Sequence, residues 1–332
     1  MRTYRTAAAL LAAGVLALTA GCSSGGGKDS EEKNGDSGGG GKAVATERLK
    51  IAMVTHSGEG DTFWDIVKNG AEQAAAKDNV EFLYAADKEG KGQAQLIESY
   101  VAKKVDGIVV TLAKPEAVRA SVEKAVAAGI PVVSINAGGE HSGAVGALGH
   151  IGQEESVAGE AVGEELNRRG RKKALCVLHE QGNVSLEARC AGVKKTFRGT
   201  VENLNVEGTN MPASTSSIEA KLQTGRDIDT VVTLGAPFAA ATVKAKAGAG
   251  SEAEVNTFDL NAEVVEQLEA KEIGFAVDQQ PYLQGYLAVD GLWLHRTNGN
   301  VLGGGRPVLT GPALVTDKDV PALRKYTARG TR

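Results

Sequence analysis

Hydrophobic positions along this chain alternate between two spacings from residue 49 onward. Short continuous apolar runs such as Gly107-Ile108-Val109-Val110-Thr111 are the mark of strands buried on both faces. Between them, apolar residues recur every three or four positions, the period of an amphipathic helix. The pattern predicts strand and helix in succession. The first strand runs from Lys50 to Val54, and the first helix from Asp61 to Lys77 with Ile66, Val67, Gly70, Ala71, Ala74 and Ala75 on one face. Strands from Val80 to Ala85, Gly107 to Thr111 and Pro131 to Ile135 follow, separated by helices from Gln93 to Lys103 and from Pro115 to a stop at Gly129. Pro115 suits a first helical position, where no amide donor is needed. One set of elements is complete near Gly149.

The succession then restarts. Helices are expected from Glu154 to Arg168, Leu186 to Phe197, Ser217 to Gln223, Phe238 to Lys246, Ala262 to Lys271 and Tyr282 to His295. Strands are expected from Ala174 to Leu178, Val201 to Val206, Thr230 to Leu234, Glu254 to Phe258 and Gly274 to Val277, with a short one from Pro307 to Thr310 before a polar tail. Repeated alternation implies right-handed crossovers and parallel sheets. The predicted fold class is α/β, with two doubly wound parallel-sheet lobes and a cleft between the carboxyl ends of their strands, where such sheets bind ligands.

The first residues follow a different rule. Arg2 and Arg5 precede an apolar run from Ala7 to Ala20, and Leu18-Thr19-Ala20-Gly21-Cys22 closes it. A basic start, a short apolar core and small residues before a cut read as a secretory signal, residues 1–22. A cysteine at the cut makes it a lipoprotein signal, with Cys22 as the lipidated residue. The apolar run is shorter than the ~20 residues a spanning helix needs. Residues 23–46, rich in Gly, Ser and charge, bury too little apolar surface to order and are expected to be a flexible tether. The protein is therefore expected outside the cytoplasm, lipid-anchored to the outer face of the bacterial cell membrane or periplasmic.

Composition removes several functions. A net charge of -4 gives no polyanion signal, and the basic run Arg168-Arg169-Gly170-Arg171-Lys172-Lys173 falls where a helix ends, so no nucleic-acid partner is expected. Neither Cys176 nor Cys190 has a second cysteine at metal-ligand spacing, so no metal is expected. Outside the cytoplasm these two thiols can pair, provided their Cα atoms lie within ~7 Å. Gly58-Glu59-Gly60 lacks the third glycine and the Lys-Ser/Thr of a phosphate loop. The five histidines, at 56, 141, 150, 179 and 295, form no i,i+4 pair; His56 and His179 follow strands but read most simply as polar strand ends. No nucleophile elbow or paired carboxylates are visible. Neither an enzyme nor a cofactor is expected.

Aromatics make up only 4% of the chain, which makes Phe63-Trp64 on the first turn of the first helix informative. Flat rings pack against sugar C–H groups, and Asp, Asn, Gln and Arg make directional bonds to hydroxyls. Such groups stand at strand ends as Asn136, Arg189, Asp259 and Gln279. Asp259 also suits an N-cap for the helix from Ala262.

Ile51-Ala52-Met53-Val54 with Phe63-Trp64, Asp106-Gly107-Ile108-Val109-Val110, Gly129-Ile130-Pro131-Val132-Val133, Thr257-Phe258-Asp259 and Val277-Asp278-Gln279-Gln280-Pro281-Tyr282-Leu283-Gln284-Gly285-Tyr286 together resemble the type I periplasmic binding proteins of the ribose/galactose type, over residues 49–315. The resemblance implies a solute receptor of a sugar ABC importer, monomeric, handing a sugar or polyol to permease subunits. It implies ligand contacts by Phe63, Trp64, Asn136, Arg189, Asp259 and Gln279. It also implies a hinge of three crossings, near Gly149, Gln279 and Gly305, between a lobe of residues 47–149 plus 280–305 and a lobe of 150–279 plus 306–332. Asn136-Ala137 stands where ribose receptors carry Asp-Arg, Gly235-Ala236 where they often carry Asn, and Leu112-Ala113 is apolar where a polar contact is common. Another monosaccharide, a cyclitol or a less polar solute therefore fits better than ribose. The alternative on the same scaffold is a receptor presenting its solute to a membrane sensor kinase; a lactose-repressor-type regulator conflicts with a lipobox where its DNA-binding helices would stand.

Overall fold

The computed structural model describes residues 47–58 and 61–332; the expected signal, Cys22 and the tether lie outside the described residues. The first sheet contains β1 (Lys50–Thr55), β2 (Glu81–Ala86), β3 (Gly107–Val110), β4 (Val132–Ile135), β5 (His150–Gln153) and β11 (Val308–Gly311), in the order β11-β5-β4-β3-β1-β2. The second contains β6 (Lys173–Leu178), β7 (Thr200–Asn205), β8 (Thr230–Thr233), β9 (Glu254–Phe258), β10 (Ile273–Asp278) and β12 (Ala313–Val315), in the order β12-β10-β9-β8-β6-β7. The two orders are the same. All pairings are parallel except β12 against β10.

Period-two burial explains how each sheet holds a helix layer on both faces. In β1, Ile51 and Met53 pack with α1 (Thr62–Lys77) and α9 (Pro281–Asn298), whereas Ala52 and Val54 pack with α2 (Gly90–Ala102) and α3 (Pro115–Ala127). In β6, Ala174, Cys176 and Leu178 face α4 (Glu155–Arg168) and α5 (Val184–Thr196), whereas Leu175 and Val177 face α6 (Met211–Thr224) and α7 (Ala236–Ala249). Cys176 and Cys190 are joined as a disulfide with Cα atoms 6.0 Å apart, tying α5 to β6 inside this core. The remaining helices, α8 (Ala262–Glu269) and α10 (Val320–Thr327), pack together against the second sheet. No described helix is long and apolar enough to cross a membrane.

The lobe boundaries differ from expectation at two of three crossings. His150–Gln153 was not expected as a strand, yet β5 pairs with β4, so the first crossing falls between Gln153 and Glu155 rather than near Gly149. The strand predicted near residues 307–310 pairs with β5 in the first sheet, not the second. The third crossing therefore lies between Gly311 and Ala313 rather than near Gly305. The polar tail folds as β12 and α10 on the second lobe. Short strands with mixed residues such as His-Ile-Gly-Gln take their place from a neighbour's open edge, which local pattern does not contain. Behind the hinge, Asn69 on α1 donates to Gly330 O at 2.9 Å, and Arg332 Nε donates to Asp278 Oδ2 at 2.6 Å.

Candidate functional site

A cleft of about 470 Å³ opens between the two sheets at the carboxyl ends of their strands. That size falls within the ~300–1,000 Å³ typical of small-molecule sites. Phe63, Trp64, Asn136, Arg189, Asp259 and Gln279 all line it, so the six residues singled out in the sequence converge from both lobes and the hinge.

The first lobe supplies an aromatic wall. Asp61 caps α1 by accepting the Phe63 N–H at 3.1 Å, which aims the first helical turn at the cleft. The Phe63 and Trp64 rings meet edge to face at 5.1 Å, and Trp64 meets the His56 ring in the same way at 5.1 Å. His56 Nδ1 is 2.8 Å from Thr111 Oγ1, at the end of β3. Burial lowers the His56 pKa, against the pull of Glu180, so the ring is neutral at physiological pH.

The second lobe presents a cation held in a fixed plane. Arg189, 3% exposed, donates through Nε to Glu155 Oε2 at 2.6 Å and through Nη2 to Glu155 Oε1 at 2.9 Å. Its Nη1 donates to Leu234 O at 3.1 Å, and the guanidinium lies 4.6 Å over the Phe258 ring. This fork orients the group while leaving N–H positions for a guest. His179, after β6, stacks on Phe238 with centroids 4.2 Å apart.

At the hinge floor a hydrogen-bonded chain joins the lobes. Asn136 Nδ2 donates to Gln279 Oε1 at 3.2 Å, and Gln279 Nε2 donates to Asp259 Oδ1 at 2.7 Å. Both end members have positive φ, 61° at Asn136 and 68° at Asp259, conformations that polar short side chains tolerate and that gather at functional positions. Asp259 does not cap the next helix; Asn261 does, accepting from Val264 N at 2.8 Å. Burial drives the Asp259 pKa up to about 7, opposed by the Arg189 charge and the Gln279 bond, with Asp61 and Glu155 adding to the rise. Burial likewise raises Asp61 to about 6.

Among the described residues, the contacts that cross the mouth include several to the segment Glu180–Ser185 of the second lobe. Lys114 Nζ is 3.3 Å from Glu180 Oε1, and Asn183 Nδ2 is 3.3 Å from His56 Nε2. Val184 N donates to Ala113 O at 3.1 Å, and Gly138 N to Ser185 Oγ at 3.2 Å.

Sequence reasoning missed Asp61, Glu155 and Phe238, and set His56 and His179 aside as strand ends. Asp61 was within reach, since an Asp directly before an amphipathic run is an N-cap signal. Glu155 carries no local sign, because its partner lies 34 residues away. Among the described residues, no group of three or more His, Cys, Asp or Glu is placed to hold a metal.

A family model described as a periplasmic binding protein domain matches residues 51–299. A carbohydrate transporter from Acidothermus cellulolyticus 11B, solved in complex with myo-inositol, is 48% identical with a TM-score of 0.85; the match covers 86% of this chain and 100% of that one. An ABC transporter solute-binding protein from Burkholderia graminis C4D1M, solved with D-arabinose, is 23% identical over 82% of this chain and 96% of that one, with a TM-score of 0.73, a likeness of fold. The xylose/arabinose-binding protein XylF of Sulfolobus acidocaldarius is 24% identical over 220 residues, 60% of this chain and 54% of that protein. The chain thus spans about half the length of this curated relative.

Proposed function

The chain belongs to the periplasmic binding protein domain family, and from that premise we propose that it is the extracytoplasmic solute receptor of an ABC importer, closing its two lobes around a monosaccharide or cyclitol. The observation that carries this reading is the convergence of aromatic walls and buried polar groups from both sheets on one cleft. The 48% identical relative solved with myo-inositol supports a cyclitol as the first solute to try. A ring of hydroxyls matches the donor and acceptor set, with Asp259 accepting, Arg189 donating, Gln279 and Asn136 bridging at the floor, and Phe63 and Trp64 offering ring faces or edges.

Charge-assisted hydrogen bonds contribute about 1.5–3 kcal/mol each. Most become complete only when the lobes meet, so the solute shifts an open–closed equilibrium toward the closed form. Permease subunits then read that form. The family is one of receptors, and the solute is expected to leave chemically unchanged. Lipidation at Cys22 would hold the protein at the membrane; Cys22→Ser is expected to move it from the membrane fraction to the soluble one, and unchanged fractionation would remove the anchor.

The test is thermal denaturation of the chain against myo-inositol, other cyclitols, pentoses and hexoses. Binding of the folded form raises the midpoint by mass action, and the solute is then recovered and identified. A panel without a single upward shift, or a solute returned altered, defeats the proposal.

A further inference from the structure

In the second lobe β6 is followed by His179, whose ring nitrogens make no hydrogen bond among the described residues. Gly208 N donates to the His179 carbonyl at 3.1 Å, which fixes the backbone. The ring lies face to face on Phe238, with centroids 4.2 Å apart and planes 15° from parallel. Beneath this stack is Gly235, where an added methyl group would come within 3.4 Å of His179 Cε1 and 3.8 Å of Phe238. Its ring and Gly235 both line the cleft.

Packing therefore orients the imidazole, but hydrogen bonding does not. Among the described residues Nδ1 is enclosed without a partner, so the half-buried ring meets the cleft through its other edge, where no side chain or backbone group bonds it. Burial holds the ring's pKa near 4, with Arg189 and His56 lowering it further and Glu180 opposing. The ring is thus neutral, with one nitrogen donating and the other accepting. Its polar neighbours on the second lobe are already engaged: Arg189 with Glu155 and Leu234, and Asn183 with Glu180 and the first turn of α5.

We propose that His179 is a specificity-determining residue of the cleft, its imidazole hydrogen-bonding one hydroxyl of the bound polyol. The side-chain-free turn at Gly235 leaves the edge of this ring uncovered on the cleft side. A site built around a hydroxyl in this way discriminates strongly against an analogue that lacks it, because a ring nitrogen that the guest cuts off from water is then left unpaired. The proposal rests on the reading of the cleft as a polyol site.

Isothermal titration of the full chain tests it, with myo-inositol, D-ribose, D-xylose and D-galactose as probes and the monodeoxy analogues of the tightest one. His179→Phe keeps an aromatic ring on Phe238 and removes both nitrogens. The expected result is binding weakened at least ~tenfold, together with one monodeoxy analogue that binds the variant and the unsubstituted chain alike. Binding within about twofold, or a loss of equal size for every analogue, overturns the role of His179 and leaves the polyol reading intact. No binding of any probe by the unsubstituted chain overturns both. If His179→Phe does not fold, His179→Gln is measured in its place. It keeps a donor and an acceptor without the ring, so it is expected to retain the same preference among the deoxy analogues; losing affinity without that preference overturns the proposal.

Discussion

Asp259 concentrates the chemistry of the cleft at a single side chain. Its carboxyl is buried, bonded to Gln279 at 2.7 Å, and titrates near 7 against an ordinary 3.8. A carboxylate whose folded pKa is raised costs stability as it ionises, so its penalty is absent below about pH 4 and complete above about pH 7. Asp61, raised to about 6, acts in the same direction. His150 and His179, both lowered to about 4 from 6.5, act oppositely, and their penalty grows as pH falls from 6.5 toward 4. Asp259→Asn isolates the charge, because Asn tolerates the positive φ that Ala would strain. In the ligand-free chain it should be more favourable, relative to Asp259, at pH 8 than at pH 5, as read by chemical denaturation. Its affinity for the solute should fall by about 1.5–3 kcal/mol. A variant that is relatively worse at pH 8 would mean that Arg189 outweighs burial in setting this pKa.

Between elements, glycine sets how rigidly the walls are held. In the first lobe a methyl group at Gly70 would lie 2.0 Å from Tyr282 O, and one at Gly285 1.9 Å from Val67 O, so α1 and α9 touch backbone to backbone. In the second lobe Gly159 and Gly192 do the same for α4 and α5, at 2.1 Å from Arg189 O and 2.3 Å from Ser156 O. The helices bearing Trp64 and Arg189 are thereby fixed to their neighbours. Gly159→Ala raises helix propensity by ~1 kcal/mol, yet it must push α5 and Arg189 outward. We expect a net destabilisation of about 1–3 kcal/mol and weaker solute binding; a variant as stable and as tight as the parent would show that the crossing has slack. The strand–helix succession was legible because each long element carries its own period, and the placement of Phe63, Trp64, Asn136, Arg189, Asp259 and Gln279 around one cleft was legible because each stands at a strand's carboxyl end or in the first turns of the helix after it. The start of α6 was not. Met211-Pro212-Ala213-Ser214-Thr215-Ser216 reads as loop, since Ser and Thr compete for backbone bonds, but Thr215 and Ser216 hydroxyls bond back to Met211 O and Pro212 O within the helix. Likewise Glu155 and β5 are defined by partners distant in the chain.

Across the whole molecule, two sheets of one topology face each other, and among the described residues the segment Glu180–Ser185 joins them at the mouth. Because Lys114 and Glu180 are each about a quarter exposed there, their pair should contribute under ~1 kcal/mol. Lys114→Ala is therefore expected to weaken solute binding several-fold at most, through faster release and with diminished dependence on salt; an effect on association alone would argue that the pair steers entry rather than retaining the guest. The edge-to-face contact of Trp64 with His56, which itself touches Asn183 across the mouth, has an optical consequence. The chain has two tryptophans, at 64 and 293, and Trp293 belongs to the helix layer beside the first core. In a Trp293→Phe background, fluorescence comes from the indole at the entrance alone. Adding the solute should shift its emission to shorter wavelength as water leaves, so the protein would signal its own occupancy without a dye. A spectrum unmoved at saturation would mean that this indole stays equally dry whether the chamber is filled or vacant.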